Sequence, residues 1–434
     1  MRDERPARVL GFHTAFSVVV ANMVGVGVFT TLGLQAAEVP NGWALLALWL
    51  VGGVIALCGA LSYGELAAAL PRSGGEYHFL GRIYHPVLGV IAGWVSVTVG
   101  FSAPVALAAM ALGRYAGTFT PLAPEPIAVA AIVLVTAFHV IDIRLAQRFQ
   151  IVTTWLKIAV IVSFCAVGLL VPAAGDVRYG PPGATLEAMG SPAFAVALIY
   201  VSYAFAGWNA ATYIAGEIRD PGRIVPRALM AGTLTVTVFY LLLNLVFLRT
   251  VPMAELRGTI EVGALSAHYL FGVQGGLVMN AMLCLVLLST ISAMLLAGPR
   301  VLQVIGEDIP VLRGLAARSR GRVPLRAILF QQGLALLFMM TGSFEVILTY
   351  TGFTLTLISL LTVLGVFVLR RRAPGLPRPY RVWGYPLTPL LFIAANLLIL
   401  GFVLFARPLV VLASLATLLA GYGLGVVHQR GARP

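Results

Sequence analysis

The chain is nearly without lysine. Of its 29 basic residues only Lys157 is a lysine, the rest being arginines, and acidic residues number just 16 in 434. Charged residues make up 10% of the chain, against about 25% in soluble domains. Composition of this kind argues against a soluble protein. Acidic clusters are missing as well. No D-x-x-x-D arrangement falls within an apolar stretch, so an intramembrane group transferase, which needs acidic metal ligands or His–Asp pairs near the headgroups, finds no candidates and no enzyme is expected. Cysteine is scarce: Cys58, Cys165 and Cys284 each lie in an apolar run, with no paired spacing and no clustered histidines. Neither a metal site nor a cofactor is expected, and a disulfide framework or a disulfide-linked obligate partner subunit is not evident. No cleavable signal peptide is visible, since a short charged arm leads straight into a full apolar run.

What the chain has in abundance is apolar length. Hydrophobic residues are 59% of the total, with 46 glycines and 25 prolines, a mixture suited to helical bundles in which broken helices are tolerated. The apolar runs do not alternate as barrel strands do. The expectation is an all-α polytopic membrane protein in the lipid bilayer. Reading runs of about 20 residues gives twelve spans, at 12–36, 43–69, 86–113, 126–142, 150–171, 191–215, 228–249, 273–298, 325–341, 346–369, 386–406 and 409–427.

The net charge of +13 could suggest nucleic acid as a partner, but the arginines sit in the loops between apolar runs, where they orient a membrane protein. If the N-terminal arm and every second loop are cytoplasmic, 23 arginines fall on that side and only Arg114, Arg178, Arg249, Arg257 and Arg407 on the other. That asymmetry predicts twelve spans with both termini cytoplasmic, in the cell inner (plasma) membrane.

Two spans carry interruptions. The first contains Asn22-Met23-Val24-Gly25-Val26-Gly27, and the sixth contains Tyr203-Ala204-Phe205-Ala206-Gly207-Trp208-Asn209. Glycine weakens a helix, although small residues also serve close helix packing and a Trp–Asn pair can satisfy itself in a core. The shared ordinal position of the breaks, span 1 and span 6, suggests two five-span halves of opposite orientation, a 5+5 inverted repeat at 1–172 and 191–371, followed by spans 11 and 12 in 372–434. Matching interruptions in inverted halves point to a transporter binding site. An unwound helix exposes N–H groups that suit a carboxylate and carbonyls that suit an ammonium, and an α-amino acid bears both.

Four stretches resemble the amino acid–polyamine–organocation superfamily, in particular bacterial amino acid permeases close to the L-type transporters. They are Gly25-Val26-Gly27-Val28-Phe29; Tyr63-Gly64-Glu65-Leu66 followed by Pro71-Arg72-Ser73-Gly74-Gly75-Glu76-Tyr77; Phe205-Ala206-Gly207-Trp208-Asn209 followed by Gly216-Glu217-Ile218-Arg219-Asp220-Pro221; and Pro299-Arg300 with Gly306-Glu307-Asp308. The resemblance implies the inverted-repeat fold with helices 1 and 6 unwound and spans 11 and 12 peripheral. It implies an amino acid substrate whose carboxylate meets the N–H groups of Val26 and Gly27 beside Gly25, and whose amino group meets the carbonyls of Met23, Tyr203 and Ala206 beside Gly207. Tyr203 matches the family's inner gate. Val26 departs from the small Ser or Ala usual at its position, which adds bulk to the site.

Lys157 lies about six residues into span 5, roughly 9 Å at 1.5 Å per residue. An amine this shallow could reach the headgroups, yet a charged residue within a span is by default a functional candidate. A lysine, unlike an arginine, can also give up its proton on burial. The resemblance implies an amine standing where sodium-coupled relatives bind sodium, against the span-1 break and a hydroxyl of span 8, with Ser289, Thr290 and Ser292 in reach and Thr290 favoured by the motif. It would couple transport to protons or act as a fixed charge in an exchanger. Lesser expectations are a cytoplasmic latch of Glu65 and Arg72 with Glu217 or Arg223, His139 and Asp142 at the membrane interface, interhelical hydrogen bonds from Asn244, Asn280 and Asn396, and packing or lid roles for Tyr350 and Phe353. The function expected is secondary amino acid transport, with a sensor that binds without transport as the alternative.

Overall fold

A computed structural model describes residues 8–141, 143–171, 182–309, 312, 314 and 324–431. Asp142 and the arginines Arg2, Arg5, Arg178, Arg313, Arg318, Arg320, Arg322 and Arg433 lie outside the described residues. Among the described residues the secondary structure is helical, apart from one parallel bridge between Leu10 and Ile218. The helices are α1 (Phe12–Met23), α2 (Val26–Glu38), α3 (Gly42–Ala69), α4 (Glu76–Ile83), α5 (Pro86–Gly117), α6 (Pro124–Ile141), α7 (Ile143–Leu170), α8 (Pro182–Met189), α9 (Pro192–Ala204), α10 (Pro221–Thr250), α11 (Val262–Asp308), α12 (Leu325–Thr341), α13 (Phe344–Arg372), α14 (Leu387–Ala406) and α15 (Pro408–Gly431). Among the described residues, ten helices are long and apolar enough to cross a membrane when α1 and α2 are taken together as Phe12–Glu38, or eleven if α8 and α9, bent by 69°, form one span. The apolar α12 is shorter than these.

Local chemistry sets the boundaries. Asn41 caps α3 by accepting from Ala44 N–H at 2.9 Å, the role short polar side chains play at helix starts. Proline stands in the first turn of α9 and α10, where its missing N–H is no loss. Gly272, at φ 71°, bends α11 near the point where its sequence run was expected to begin. Ser96–Ser102 widens α5 into a π-helical stretch, a feature associated with functional sites.

The helices form two packed groups. In one, α1, α3 and α10 pack together, and α9 packs on α2 and α3. In the other, α5, α6, α11 and α12 pack together. Between them runs α7, which packs on both α10 and α11. Large apolar side chains on α6 and α7, such as Leu134 and Trp155, face outward, as lipid-facing surface should.

The cytoplasmic ends expected from the arginines are tied differently from the latch anticipated above. Glu65, 1% exposed, takes a bidentate pair of hydrogen bonds from Arg370 at 2.8 and 2.6 Å. It also accepts from Val382 N–H at 2.7 Å and lies 3.5 Å from Arg378. Arg223 instead faces Asp220 on the surface. Arg378 threads the α13–α14 connection and donates to the carbonyls of Leu369, Ala373, Pro374 and Leu376. The glutamate therefore fastens that connection to α3. Removing one partner of such a buried pair leaves the other uncompensated, at a cost of about 3–5 kcal/mol. Glu65→Ala should lower the melting temperature of the detergent-solubilised protein by several degrees, and Glu65→Met with Arg370→Met together should recover part of that loss.

Other polar residues also depart from expectation. His139 is buried between helices: its Nδ1 lies 2.8 Å from Val135 O and its Nε2 3.2 Å from Ser292 Oγ on α11. Asn244 and Asn396 bond within their own helices, to Tyr240 O and Phe392 O, because a carbonyl four residues back is always within reach of an amide. Asn280 alone of the three reaches another segment, Thr118 Oγ1, at 2.7 Å. Tyr350 bonds Thr417 Oγ1 on α15, and Phe353 is buried, so packing describes both.

Candidate functional site

The first interruption is a true break. Helix α1 stops at Met23 and α2 starts at Val26, with Gly25 at φ −150° and ψ −142° between them. The first N–H groups of α2 have no intrahelical acceptor, and no side chain caps them. The last carbonyls of α1 are freed in the same way. The second interruption follows α9: Gly207 sits at φ 104°, a region glycine reaches without penalty, and the chain resumes as a 3₁₀ segment, Ala210–Glu217.

The two breaks touch. A Cβ on Gly27 would lie 2.5 Å from Ala204 Cα, and one on Gly207 would lie 2.9 Å from the Asn22 carbonyl. Glycine at both positions is a condition for this approach. Tyr240, from α10, spans the junction with its hydroxyl 2.5 Å from Met23 O and 3.0 Å from Ala204 O. One phenol proton thus serves a freed carbonyl on each side.

Between the breaks lies a cavity of about 120 Å³, room for several waters or a small polar solute. Its wall includes Met23, Gly25, Val26 and Gly27 from the first break, Tyr203, Ala206 and Gly207 from the second, and Thr290 from α11. All the residues named from the sequence as substrate-binding or gating are therefore brought to one cavity. Met23 O already accepts from Tyr240, and Tyr203 O accepts from Ala206 N–H at 2.9 Å, so each has one lone pair left to offer. Phe392 and Asn396 of α14 also line the wall. The eleventh span, expected to be peripheral, contributes to the site.

Lys157 is not in the wall. It is 1% exposed and stands behind the first break, its Nζ 3.2 Å from Val24 O and 3.2 Å from Thr290 Oγ1. It does not reach for the headgroups. An ammonium donates to three acceptors and accepts none, so it can hold a freed carbonyl of α1 and a hydroxyl of α11 at once. Neighbouring hydroxyls of α11 are used elsewhere: Ser289 accepts from Thr153 at 2.7 Å, and Ser292 lies against His139. Thr290 is thus the one that meets the lysine.

Sequence reasoning missed two residues here. Tyr240 is one of many aromatics in apolar runs, and nothing in its local sequence marks it. Glu76 was noted only as part of a motif. Ser73-Gly74-Gly75, with φ 119° and 53° at the two glycines, turns the chain and delivers Glu76 to the cavity wall, 3% exposed. A Cβ on Gly75 would lie 2.6 Å from the Tyr213 ring. A lone carboxylate directly after a glycine pair, in a chain so poor in acids, was the available signal.

Comparison with known proteins gives this arrangement a context. The family described as amino acid permease matches residues 10–424. The chain is 28% identical to the serine/threonine exchanger SteT of Bacillus subtilis, with 97% of this chain and 98% of that protein covered. It is 27% identical to the mouse large neutral amino acids transporter small subunit 2, over 97% of this chain and 81% of that protein. It is 26% identical to the mouse Asc-type amino acid transporter 1, over 95% and 79% respectively. The match along nearly the whole chain places it, plainly, in the amino acid permease family.

Proposed function

We propose that the protein is a secondary transporter of L-amino acids or closely related amines, working by alternating access around the cavity between α2 and the Ala204–Asn209 break. One observation carries the reading. Two helix interruptions, at Gly25 and Gly207, meet at a single cavity, and the start of α2, whose N–H groups no side chain caps, lies in its wall. The N–H groups of Val26 and Gly27 suit the substrate carboxylate. The carbonyls of Met23, Tyr203 and Ala206 suit its amino group, and Tyr203 would gate the inner side. Val26 and the apolar wall limit the space left for the side chain.

Counting α9 with its 3₁₀ continuation as one span and including α12 gives twelve spans. In this reading residues 1–172 and 191–371 are the two inverted halves, 372–434 adds the last two spans, and both termini are cytoplasmic in the cell membrane. The group of α1, α2, α3, α9 and α10 would rock against the group of α5, α6, α11 and α12. Lys157 supports this scheme, since it joins α1 on one side to α11 on the other. Its charge would hold the two groups together in the manner of a bound cation. Exchange of one amino acid for another is the coupling favoured by the likeness to a serine/threonine exchanger. Proton symport is the other coupling open to the amine. No partner subunit is proposed: the three cysteines lie within α3, α7 and α11, away from the loops where a disulfide to a partner would form.

Uptake of a panel of labelled amino acids into proteoliposomes tests the function. An exchanger takes up label only when the vesicles are preloaded with substrate, whereas a symporter responds to an imposed proton gradient without preloading. Binding in detergent without flux under either condition would identify a sensor.

Lys157→Ala should cut uptake by about ten- to a hundredfold, the equivalent of losing a charged hydrogen-bonding group at about 1.5–3 kcal/mol. A Lys157→Ala protein with wild-type uptake and wild-type pH dependence would remove the amine from the mechanism. Gly27→Ala forces a methyl into the Ala204 backbone. It should abolish measurable uptake while a control at the unencumbered Gly401→Ala keeps it, both compared at equal protein in the vesicles.

A further inference from the structure

The cavity wall is otherwise neutral. Its described lining consists of backbone, glycine, apolar side chains, amides and hydroxyls, and Glu76 is the one formally charged residue among them. Glu76 Oε1 accepts from Tyr63 OH at 3.1 Å and from Asn209 Nδ2, and Oε2 accepts from Tyr213 OH at 2.7 Å. Every one of these partners is neutral, and none of the ion pairs among the described residues includes Glu76. The contrast with Glu65 is direct, since that buried carboxylate has two guanidinium groups beside it.

Three neutral donors occupy three of a carboxylate's roughly four lone-pair sites but do not cancel its charge. Asn209 Nδ2 can only donate, and the two phenols direct their hydroxyls at Oε1 and Oε2. A substrate zwitterion is neutral at its head, so the net potential it meets in the cavity acts on its side chain. A negative wall repels a side-chain carboxylate, tolerates a neutral chain and attracts a cation. At a separation of about 8 Å and an effective dielectric of about 20, one unit charge on the substrate shifts affinity roughly thirtyfold.

We propose that Glu76 sets the charge class of the substrate: neutral and cationic side chains are admitted, and side-chain carboxylates are refused. The inference rests on the carrier reading above and adds to it a residue that specifies what is carried. The position suits the role, because Glu76 belongs to α4 yet is bonded to α3 through Tyr63 and to the 3₁₀ segment through Tyr213. The charge is thereby held at the wall of the cavity by the element that follows the second break.

The test uses pairs of competitors that match in shape and differ in charge, glutamine against glutamate and asparagine against aspartate. Each is set against uptake of a labelled neutral amino acid into proteoliposomes carrying the full chain. Wild-type protein should need at least about tenfold more of each acid than of its amide for half-inhibition. In Glu76→Gln that ratio should fall to within about threefold. Ser359→Lys gives a second route that leaves Glu76 in place. Ser359 lines the same cavity, and the Tyr63 hydroxyl faces it, so an ammonium there supplies the missing counter-charge and should lower the ratio likewise. Equal inhibition by acid and amide in the wild type overturns the proposal, as does a ratio that stays high in whichever of the two variants inserts and transports. If labelled amino acid enters wild-type vesicles and the ratios do not move, only the charge-class inference falls. If no amino acid enters under any condition, the carrier reading falls and takes the inference with it.

Discussion

Everything in this structure depends on how it treats backbone groups that a helix would normally pair. Inside a bilayer no water is at hand, and an unpaired N–H or C=O costs several kcal/mol. A protein that breaks two of its apolar spans must give each freed group a partner or a polar solute. Here the accounting can be followed atom by atom. Val24 O is held by Lys157, Met23 O by Tyr240, and Ala204 O again by Tyr240. Val26 and Gly27, the first residues of α2, line a cavity, and no side chain caps the N–H groups there. Carbonyls at the break are largely satisfied from within while no side chain serves the donors, an asymmetry that supports the proposed seat for a carboxylate.

The partners are also mechanical. Lys157 and Tyr240 lie on α7 and α10, and each reaches α1 from more than a hundred residues away. Short reach and strict geometry make these bonds sensitive to small displacements. A shift of an ångström between the two helix groups would break a 3.2 Å hydrogen bond outright, so the position of α1 and the state of its carbonyls are coupled. The glycines act in the same way from the steric side. Gly27 against Ala204, and Gly207 against Asn22, let two unwound segments share one surface, so that movement of either changes the cavity.

How legible this was in the sequence depends on the range of the interaction involved. Apolar runs and loop arginines located the helices because both are properties of single segments. Breaks at Gly25 and Gly207 were visible because glycine and asparagine in an apolar run contradict their surroundings locally. Lys157 stood out by rarity alone. Tyr240 did not, since an aromatic in a span looks the same whether it packs or bridges. The partners of Glu65 were also missed: Arg370 and Arg378 lie 305 and 313 positions further on, and no local rule chooses them over the nearer Arg223. The Ser292 partner of His139 was not legible either, because the end of a span does not reveal which face is turned inward.

Glu65 and Glu76 show what decides the meaning of a buried carboxylate. Both follow from the same stretch of sequence, eleven residues apart, and both are almost fully enclosed. Glu65 is neutralised by arginines and fastens a loop, so its charge has no consequence beyond the site it occupies. Glu76 is satisfied without being neutralised, and it faces a cavity instead of a loop. Desolvating an unpaired charge is costly, and the fold accepts that cost at only one point on the cavity wall. A carboxylate serving structure alone would be better replaced there by a glutamine, which could meet the same phenols without the penalty. A glutamate at that point, with no cation beside it among the described residues, therefore bears on what enters the cavity and on what the wall keeps out.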